Sequence, residues 1–122
     1  MSGVLAERYA SDQMRKIWSR ENKISLERDL WIMVMKAQSN AGFSIDKSVI
    51  SEYERVKSTI DLISIDKRER VLKHDVKARI EEFNSLAGHQ LIHLGMTSRD
   101  LTENVELFQI KTSLEFIEKK AL

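Results

Sequence analysis

Apolar side chains recur along most of the chain at the three- and four-residue steps of an α-helix. The first stripe contains Leu26, Leu30, Met33, Ala37 and Ala41. These positions share one side of a helix. Gly42 follows, and a glycine commonly ends a helix because it tolerates left-handed backbone. The pattern therefore predicts a helix that stops at Gly42.

Two further stripes predict two more helices. The second contains Val49, Tyr53, Val56 and Ile60. The third contains Val76, Ile80, Phe83 and Ala87, and Gly88 follows it directly. Between these stripes, Asp66 and Glu69 have the spacing of a capping box, which predicts that a short helix begins near Lys67.

The last helix is predicted to begin near Ser98, because Thr97 and Asp100 also have the spacing of a capping box. Its apolar residues lie on several sides: Leu101, Val105, Leu107, Phe108, Ile110, Leu114 and Ile117. A helix with so wide an apolar surface needs to be buried on most sides. No breaker precedes Leu122, so we expect this helix to continue in a longer protein.

No segment shows a convincing strand pattern. The best candidate is 58–65, whose alternation is weak and more typical of a loop or a helix end. The chain also has no proline and only four glycines, a composition that favours helices. With 122 residues, it is predicted to be an all-α domain or part of one.

Charge and cysteine content exclude several classes of function. The 20 Lys and Arg residues nearly balance 19 Asp and Glu residues, so no overall field attracts nucleic acid or an anionic membrane. The most apolar run, 30–35, is too short to cross a bilayer. The chain has no cysteine, which excludes disulfides and thiolate metal sites and fits the cytosol.

The most informative segment for chemistry is 93–100, His-Leu-Gly-Met-Thr-Ser-Arg-Asp. Thr97 and Ser98 stand at the predicted start of a helix, where free N–H groups and a partial positive charge favour a carboxylate or phosphate. His93, just upstream, adds a group that titrates near neutral pH. An ordinary helix cap after a turn is the alternative interpretation.

A second candidate cluster is Lys73, His74 and Asp75, at the start of the third amphipathic helix. Asp75 is predicted to be the N-cap of that helix. A cation, an imidazole and helix N–H groups together suit an anionic ligand. The alternative is a solvated helix start whose charges contact no ligand.

A third cluster lies near the N-terminus, where Arg8 precedes Tyr9. An arginine can hold a phosphate with its planar fork, although a flexible tail is an equally good interpretation. The three histidines lack metal-ligand spacing, so no metal site is predicted. Trp18 and Trp31 fall on apolar stripes and are predicted to lie in the core.

Taken in order, the three clusters resemble one family. Arg-Tyr-Ala-Ser at 8–11, Lys-His-Asp-Val at 73–76 and His-Leu-Gly-Met-Thr-Ser-Arg-Asp at 93–100 look like the N-terminal part of the adenylosuccinate lyase family, within the fumarase and aspartase superfamily. The resemblance implies homotetramers of all-helical, three-domain subunits. It also implies an N-terminal helical domain over residues 1–97 and the first, truncated part of the central helical bundle over 98–122.

The resemblance implies a cytoplasmic purine-biosynthesis enzyme that eliminates fumarate from adenylosuccinate, giving AMP, and from a succinylated carboxamide ribotide. It implies no cofactor and no metal. The family's usual general acid is a histidine of the middle domain, and its usual base is a serine on a mobile C-terminal loop. Both would lie beyond Leu122, so no catalytic residue is expected in this chain.

Eight residues match substrate-binding positions of the family: Arg8, Tyr9, Lys73, His74, Asp75, His93, Thr97 and Ser98. The resemblance implies that Arg8 and Tyr9 hold the phosphate end of the nucleotide and that Thr97 and Ser98 bind the succinyl group. Many members have arginine at the position of Lys73, and lysine keeps the charge but lacks the planar fork.

Three other hypotheses remain. The chain could be a helical interaction module without chemistry, which would leave the three clusters scattered over the surface. It could belong to another lyase of the superfamily, although Arg8 and Tyr9 favour a nucleotide substrate. A DNA-binding helical domain is disfavoured, because the sequence has no basic stripe.

Overall fold

The computed structural model describes residues 11–121, with side chains through residue 119, so Arg8 and Tyr9 lie outside the described residues. Residues 11–17 are helical and are labelled α1. The other helices are α2 (Arg20–Asn40), α3 (Lys47–Val56), α4 (Leu62–Leu72), α5 (Asp75–Ala87) and α6 (Ser98–Ala121). Residues 11–121 contain no strand, and the all-α prediction is confirmed.

Two helices end at the glycines that the sequence indicates. Gly88 caps α5 with φ 77° and donates its backbone N–H to the carbonyl of Asn84 at 2.8 Å. Helix α2 ends at Asn40, and Gly42 takes φ 96° two residues later. A side chain is strained at such angles, whereas glycine is not.

The predicted start of the short fourth helix is wrong. Helix α4 begins at Leu62, where the Asp61 side chain accepts a hydrogen bond from the Ser64 amide at 3.0 Å. Asp66, predicted to be the cap near Lys67, instead accepts a hydrogen bond of 2.6 Å from Arg20. A capping-box spacing inside a helix is therefore not a start signal when an earlier aspartate already caps that helix.

The helices pack in a chain of neighbours, with α5 against α3 and α4, and α2 against α3 and α6. Helix α4 contributes to a small separate cluster, and side chains of α2, α3, α5 and α6 form the main core. The ring of Phe83 lies 6.2 Å from that of Trp31 and 5.0 Å from that of Tyr53, centre to centre. Met35 and Leu101 belong to the same buried cluster.

The first apolar stripe does not mark the buried face of α2. Met33, in the middle of that stripe, is 62% exposed. The residues that α2 buries are Ile24, Glu27, Arg28, Trp31, Ile32 and Met35. Two of them are charged, so a pattern that assigns charges to the surface selects the wrong side of the helix.

The buried charges of α2 are paired with charges of α5. Arg28 forms an ion pair with Glu82, and its Nη1 also donates to the carbonyls of Lys57 at 2.9 Å and Thr59 at 2.6 Å. The other oxygen of Glu82 accepts from the Asp61 amide at 2.9 Å. This ion pair therefore fixes the connection between α3 and α4, because the backbone polar groups of that loop find partners in it.

Helix α6 buries one narrow stripe, formed by Leu101, Val105, Gln109 and Ser113. Gln109 donates to the carbonyl of Ile17 at 3.1 Å, and the indole N–H of Trp18 donates to Ser113 Oγ at 2.9 Å. Trp18 is 49% exposed, so the prediction that it lies in the core is wrong. The spacing of apolar residues does not show that the Trp18 indole lies beside the hydroxyl of Ser113, 95 residues further along the chain.

The rest of α6 is unusually apolar for a surface. Residues about half exposed or more are Leu107, Phe108, Ile110, Leu114 and Ile117. Among residues 11–121, no helix is long and apolar enough to cross a membrane.

Candidate functional site

The start of α6 has the predicted capping box. The Asp100 amide donates to Thr97 Oγ1 at 3.1 Å, and the Thr97 amide donates to the Asp100 carboxylate at 3.0 Å. The hydrogen bonds from the amide and the hydroxyl of Thr97 lower the pKa of Asp100. This reciprocal pair holds the loop against the helix, so the N–H groups of the first turn have a fixed direction.

The start of α5 differs from the prediction in its cap. His74 is the N-cap, and its Nδ1 accepts a hydrogen bond from the Lys77 amide at 3.1 Å. Asp75, the predicted cap, is the first helical residue, and its carboxylate accepts from the Val76 amide at 2.8 Å. An imidazole with a bare nitrogen can replace the usual capping oxygen because both are hydrogen-bond acceptors.

The carboxylate of Asp75 is also held by a partner that the sequence did not reveal. Arg79 Nη1 lies 3.6 Å from Asp75 Oδ2, while the same guanidinium makes two hydrogen bonds, of 2.6 and 2.9 Å, with Glu27. Burial alone would raise the pKa of Asp75, but the Val76 amide and the Arg79 charge lower it. Glu27 and Arg79 are 52 residues apart, and no local spacing signals such a pair.

Two of the predicted site residues have left-handed backbone. Lys73 has φ 53° and His93 has φ 66°, and no other non-glycine residue in 11–121 has a positive φ. Lys73 ends α4 and donates its amide to the Glu69 carbonyl at 2.7 Å. This conformation costs about 1–2 kcal/mol for a side chain larger than glycine, and such strain clusters at functional sites.

His93 packs against Trp31, whose predicted core position is confirmed with only 1% of its surface exposed. The Trp31 indole N–H donates to His93 Nδ1 at 3.0 Å, and the two rings meet edge to face with centres 6.0 Å apart. Burial lowers the pKa of His93, and the nearby His74 lowers it further, against the opposing charge of Asp100. The half-buried imidazole is therefore favoured in its neutral form.

The starts of α5 and α6 contribute to the same buried cluster. Val76 at the start of α5 and Leu101 at the start of α6 belong to one buried cluster, together with Ile92.

A cleft of about 760 Å³ opens beside the start of α5. Its lining residues are Asp66, Glu69, Arg70, Lys73, His74 and Asp75. The other predicted residues, His93, Thr97 and Ser98, do not line this cleft. The predicted site residues within the described chain thus lie at two helix starts, and only the start of α5 faces the cleft.

The chemistry available at this site is hydrogen bonding to an anion. A lysine, two imidazoles and the first turn of α6 supply donors, whereas the Val76 and Lys77 amides of α5 already donate to Asp75 and His74. In residues 11–121, no three His, Asp, Glu or Cys side chains come together as metal ligands would.

Comparison with known proteins identifies the relatives. No family model matches the chain. It is 32% identical over 116 residues to an adenylosuccinate lyase of Pyrococcus horikoshii, a match that covers 92% of this chain. The chain is related to the adenylosuccinate lyases. Two others are those of Methanocaldococcus jannaschii, at 33% identity over 93% of the chain, and Saccharomyces cerevisiae, at 31% over 93%.

The relationship to adenylosuccinate lyases extends over nearly the whole of this chain but over a small part of those enzymes. The chain spans about a quarter of the length of the relatives it matches: 26%, 25% and 24% for the three named above. The resemblance predicted from three short motifs is therefore confirmed. The individual roles of the eight matched residues stay predictions.

Proposed function

We propose that this chain supplies substrate-binding groups to the active site of an adenylosuccinate lyase. That enzyme would eliminate fumarate from adenylosuccinate, giving AMP, and from the succinylated carboxamide ribotide of purine biosynthesis. Lys73, His74 and Asp75 would bind substrate from the start of α5, and Thr97 and Ser98 would bind the succinyl group at the start of α6. His93 would bind or position the substrate.

The observation that supports this proposal best is the backbone strain at Lys73 and His93. Their left-handed conformations are the only positive φ values at side-chain-bearing residues within 11–121. The sequence motifs independently predict both residues as part of the site. Folding retains such strain where surrounding structure requires it, and function is a common reason.

The reaction explains why donors at a helix start would be useful. A base removes a proton from the succinyl carbon next to a carboxylate, so negative charge builds on that carboxylate. The N–H and O–H groups of Ser98, held in place by the capping box of Thr97 and Asp100, would stabilise this charge without reorganising. The electron pair of the deprotonated carbon then forms the C=C bond of fumarate as the C–N bond breaks. The electron pair of the broken bond stays on nitrogen, and an acid protonates that nitrogen.

The general acid and general base would come from the parts of the relatives' length that this chain does not span. Arg8 and Tyr9, which lie outside the described residues, would hold the phosphate end of the nucleotide. The proposal needs no cofactor or metal, and no nucleic acid or membrane partner. We place the enzyme in the cytoplasm.

The proposed assembly is a homotetramer. Residues 1–97 would form the N-terminal helical domain, and 98–122 would begin a central bundle. The exposed apolar side chains of α6, including Phe108 at 52% and Leu114 at 60% exposure, support this division, because a surface of this kind is typical of an interface. The same surface would also serve a non-catalytic helical interaction module, which is the second candidate function.

Fumarate release tests the proposal. We expect no release from the purified 122-residue chain and clear release from the protein expressed from its complete reading frame. In that protein Ser98→Ala should reduce kcat/KM for adenylosuccinate about tenfold or more, since it removes one charge-assisted hydrogen bond. Ser48→Ala, at the start of α3, is the matched control. Absence of lyase activity in the complete protein would leave the interaction module as the better hypothesis.

A further inference from the structure

The contact between Trp31 and His93 determines which nitrogen of the imidazole carries a proton. An indole N–H is a donor and never an acceptor. The atom that it meets at 3.0 Å, Nδ1 of His93, must therefore carry no proton. In a neutral imidazole with a bare Nδ1, the proton sits on Nε2.

We propose that Trp31 is a positioning residue that holds His93 as the Nε2–H tautomer, so that His93 serves as a hydrogen-bond donor to an anionic oxygen of the substrate. The inference deepens the proposed function and rests on it for the identity of the ligand. It excludes His93 as a general base, because the nitrogen left to face a ligand already carries a proton. It also makes Trp31, a fully buried residue, part of the site.

The surroundings of His93 favour the same protonation state. A second proton would have to bind Nδ1 and would break the hydrogen bond from Trp31. His74 at the start of α5 disfavours added charge, whereas Asp100 in the first turn of α6 favours it. Burial of the ring lowers the pKa of His93 by more than the negative charge of Asp100 raises it, so this pKa lies below its ordinary value.

His74 is held in the same tautomer by an unrelated donor. Its Nδ1 accepts from the Lys77 backbone amide at 3.1 Å, and an amide N–H, like an indole, only donates. Both histidines of the site therefore have Nδ1 occupied and Nε2 protonated. Two such donors suit a carboxylate or phosphate oxygen.

Nitrogen NMR of the imidazoles tests this inference in the 122-residue chain itself. We expect His93 to show a bare Nδ1 and a protonated Nε2 above pH 7. Trp31→Phe keeps an aromatic ring but removes the N–H, so His93 should become a mixture of tautomers with a higher pKa. Trp18→Phe is the matched control, because the Trp18 indole donates to Ser113, and it should leave His93 unchanged. A protonated Nδ1 in the unmodified chain, or no change in Trp31→Phe, overturns the inference.

A second pair of variants avoids any loss of folding caused by the core substitution. The amide nitrogen of glutamine can replace Nε2 of histidine, whereas the shorter asparagine reaches only the Nδ1 position. In the complete protein, His93→Asn should therefore raise KM for adenylosuccinate about two- to tenfold more than His93→Gln does. Equal KM values, or a higher KM for His93→Gln, contradict the donor role.

The two proposals fail separately. If the complete protein releases no fumarate but His93 has a protonated Nε2, the proposed function is wrong and the tautomer assignment stands. If fumarate is released but Nδ1 of His93 is protonated, the enzyme is correctly identified and the role given to Trp31 is wrong.

Discussion

Arg79 of α5 donates two hydrogen bonds, of 2.6 and 2.9 Å, to the carboxylate of Glu27 on α2, and both side chains are almost fully buried. The pair joins two helices that are distant in sequence, and Arg79 also reaches Asp75 at the candidate site. A buried guanidinium that loses its carboxylate is costly, because Asp75 at 3.6 Å is a more distant and more exposed partner that does not replace the two hydrogen bonds of Glu27.

We therefore expect Glu27→Gln to lower the free energy of unfolding by about 3–5 kcal/mol. Replacing both partners, as in Glu27→Leu with Arg79→Met, should cost less than Glu27→Gln alone, since it leaves no buried charge unpaired. Urea denaturation measures both effects. Glu21→Gln, at an exposed position in the first turn of α2, is the control. A loss below about 1 kcal/mol in Glu27→Gln would contradict the structural role of the pair.

Backbone strain at Lys73 leads to a stabilising substitution. Lys73→Gly should raise the free energy of unfolding by about 0.5–1 kcal/mol. Glycine takes a φ of 53° without strain, and this gain is larger than the cost of ordering glycine, which has more conformational entropy in the unfolded chain. Lys57→Gly is the matched control, since Lys57 also caps a helix but has φ −61°. That variant should be destabilised by a similar amount. Destabilisation of Lys73→Gly would show that contacts of the lysine outweigh the strain.

The same substitution should weaken the proposed function. Loss of the Lys73 charge is expected to raise KM for adenylosuccinate at least about tenfold in the complete protein, even though the fold becomes more stable. Steady-state fumarate release measures it. An unchanged KM would remove Lys73 from the proposed site.

The pH dependence of stability should report on His93. Its pKa is lowered in the folded state by burial, from an ordinary value of 6.5. Below that value the unfolded chain takes up a proton that the folded chain resists, so stability falls as the pH falls from about 6.5 towards the folded pKa. Asp100, whose pKa is lowered from 3.8 by Thr97, loses its contribution only at more acidic pH.

Thermal unfolding between pH 7 and 5 should therefore have a smaller slope in His93→Gln than in the unmodified chain. His89→Gln is the control, because His89 packs on the ring of Tyr53 and receives no indole hydrogen bond. If His93→Gln and the unmodified chain have the same slope, the imidazole of His93 does not carry this pH dependence.

The apolar surface of α6 should drive self-association. We expect the chain to sediment as an oligomer at high concentration, since Leu107 and Leu114 are 63% and 60% exposed and lie two turns apart on one side of the helix. Leu107→Glu with Leu114→Glu should shift it to monomer, and Lys67→Glu, at an exposed position of α4, should not although it changes the net charge by the same amount. A monomeric unmodified chain would contradict both the proposed tetramer and the interaction-module hypothesis.

Local signals in the sequence were sufficient for much of the fold. The helix ends at Gly42 and Gly88 and the capping box of Thr97 and Asp100 were predicted correctly, because each depends on backbone angles and hydrogen bonds within four residues. The motifs that indicated the family were also local. Their order along the chain was enough to predict adenylosuccinate lyases as relatives.

Tertiary structure decided what depends on distant partners. The buried side of α2 follows from Glu27 and Arg28, whose partners Arg79 and Glu82 lie 52 and 54 residues further along the chain. The tautomer of His93 follows in the same way from Trp31, 62 residues away. Local spacing reveals which residues can share a helix face, but only the folded chain determines which charges and donors meet, since burial is favourable only when both partners arrive together.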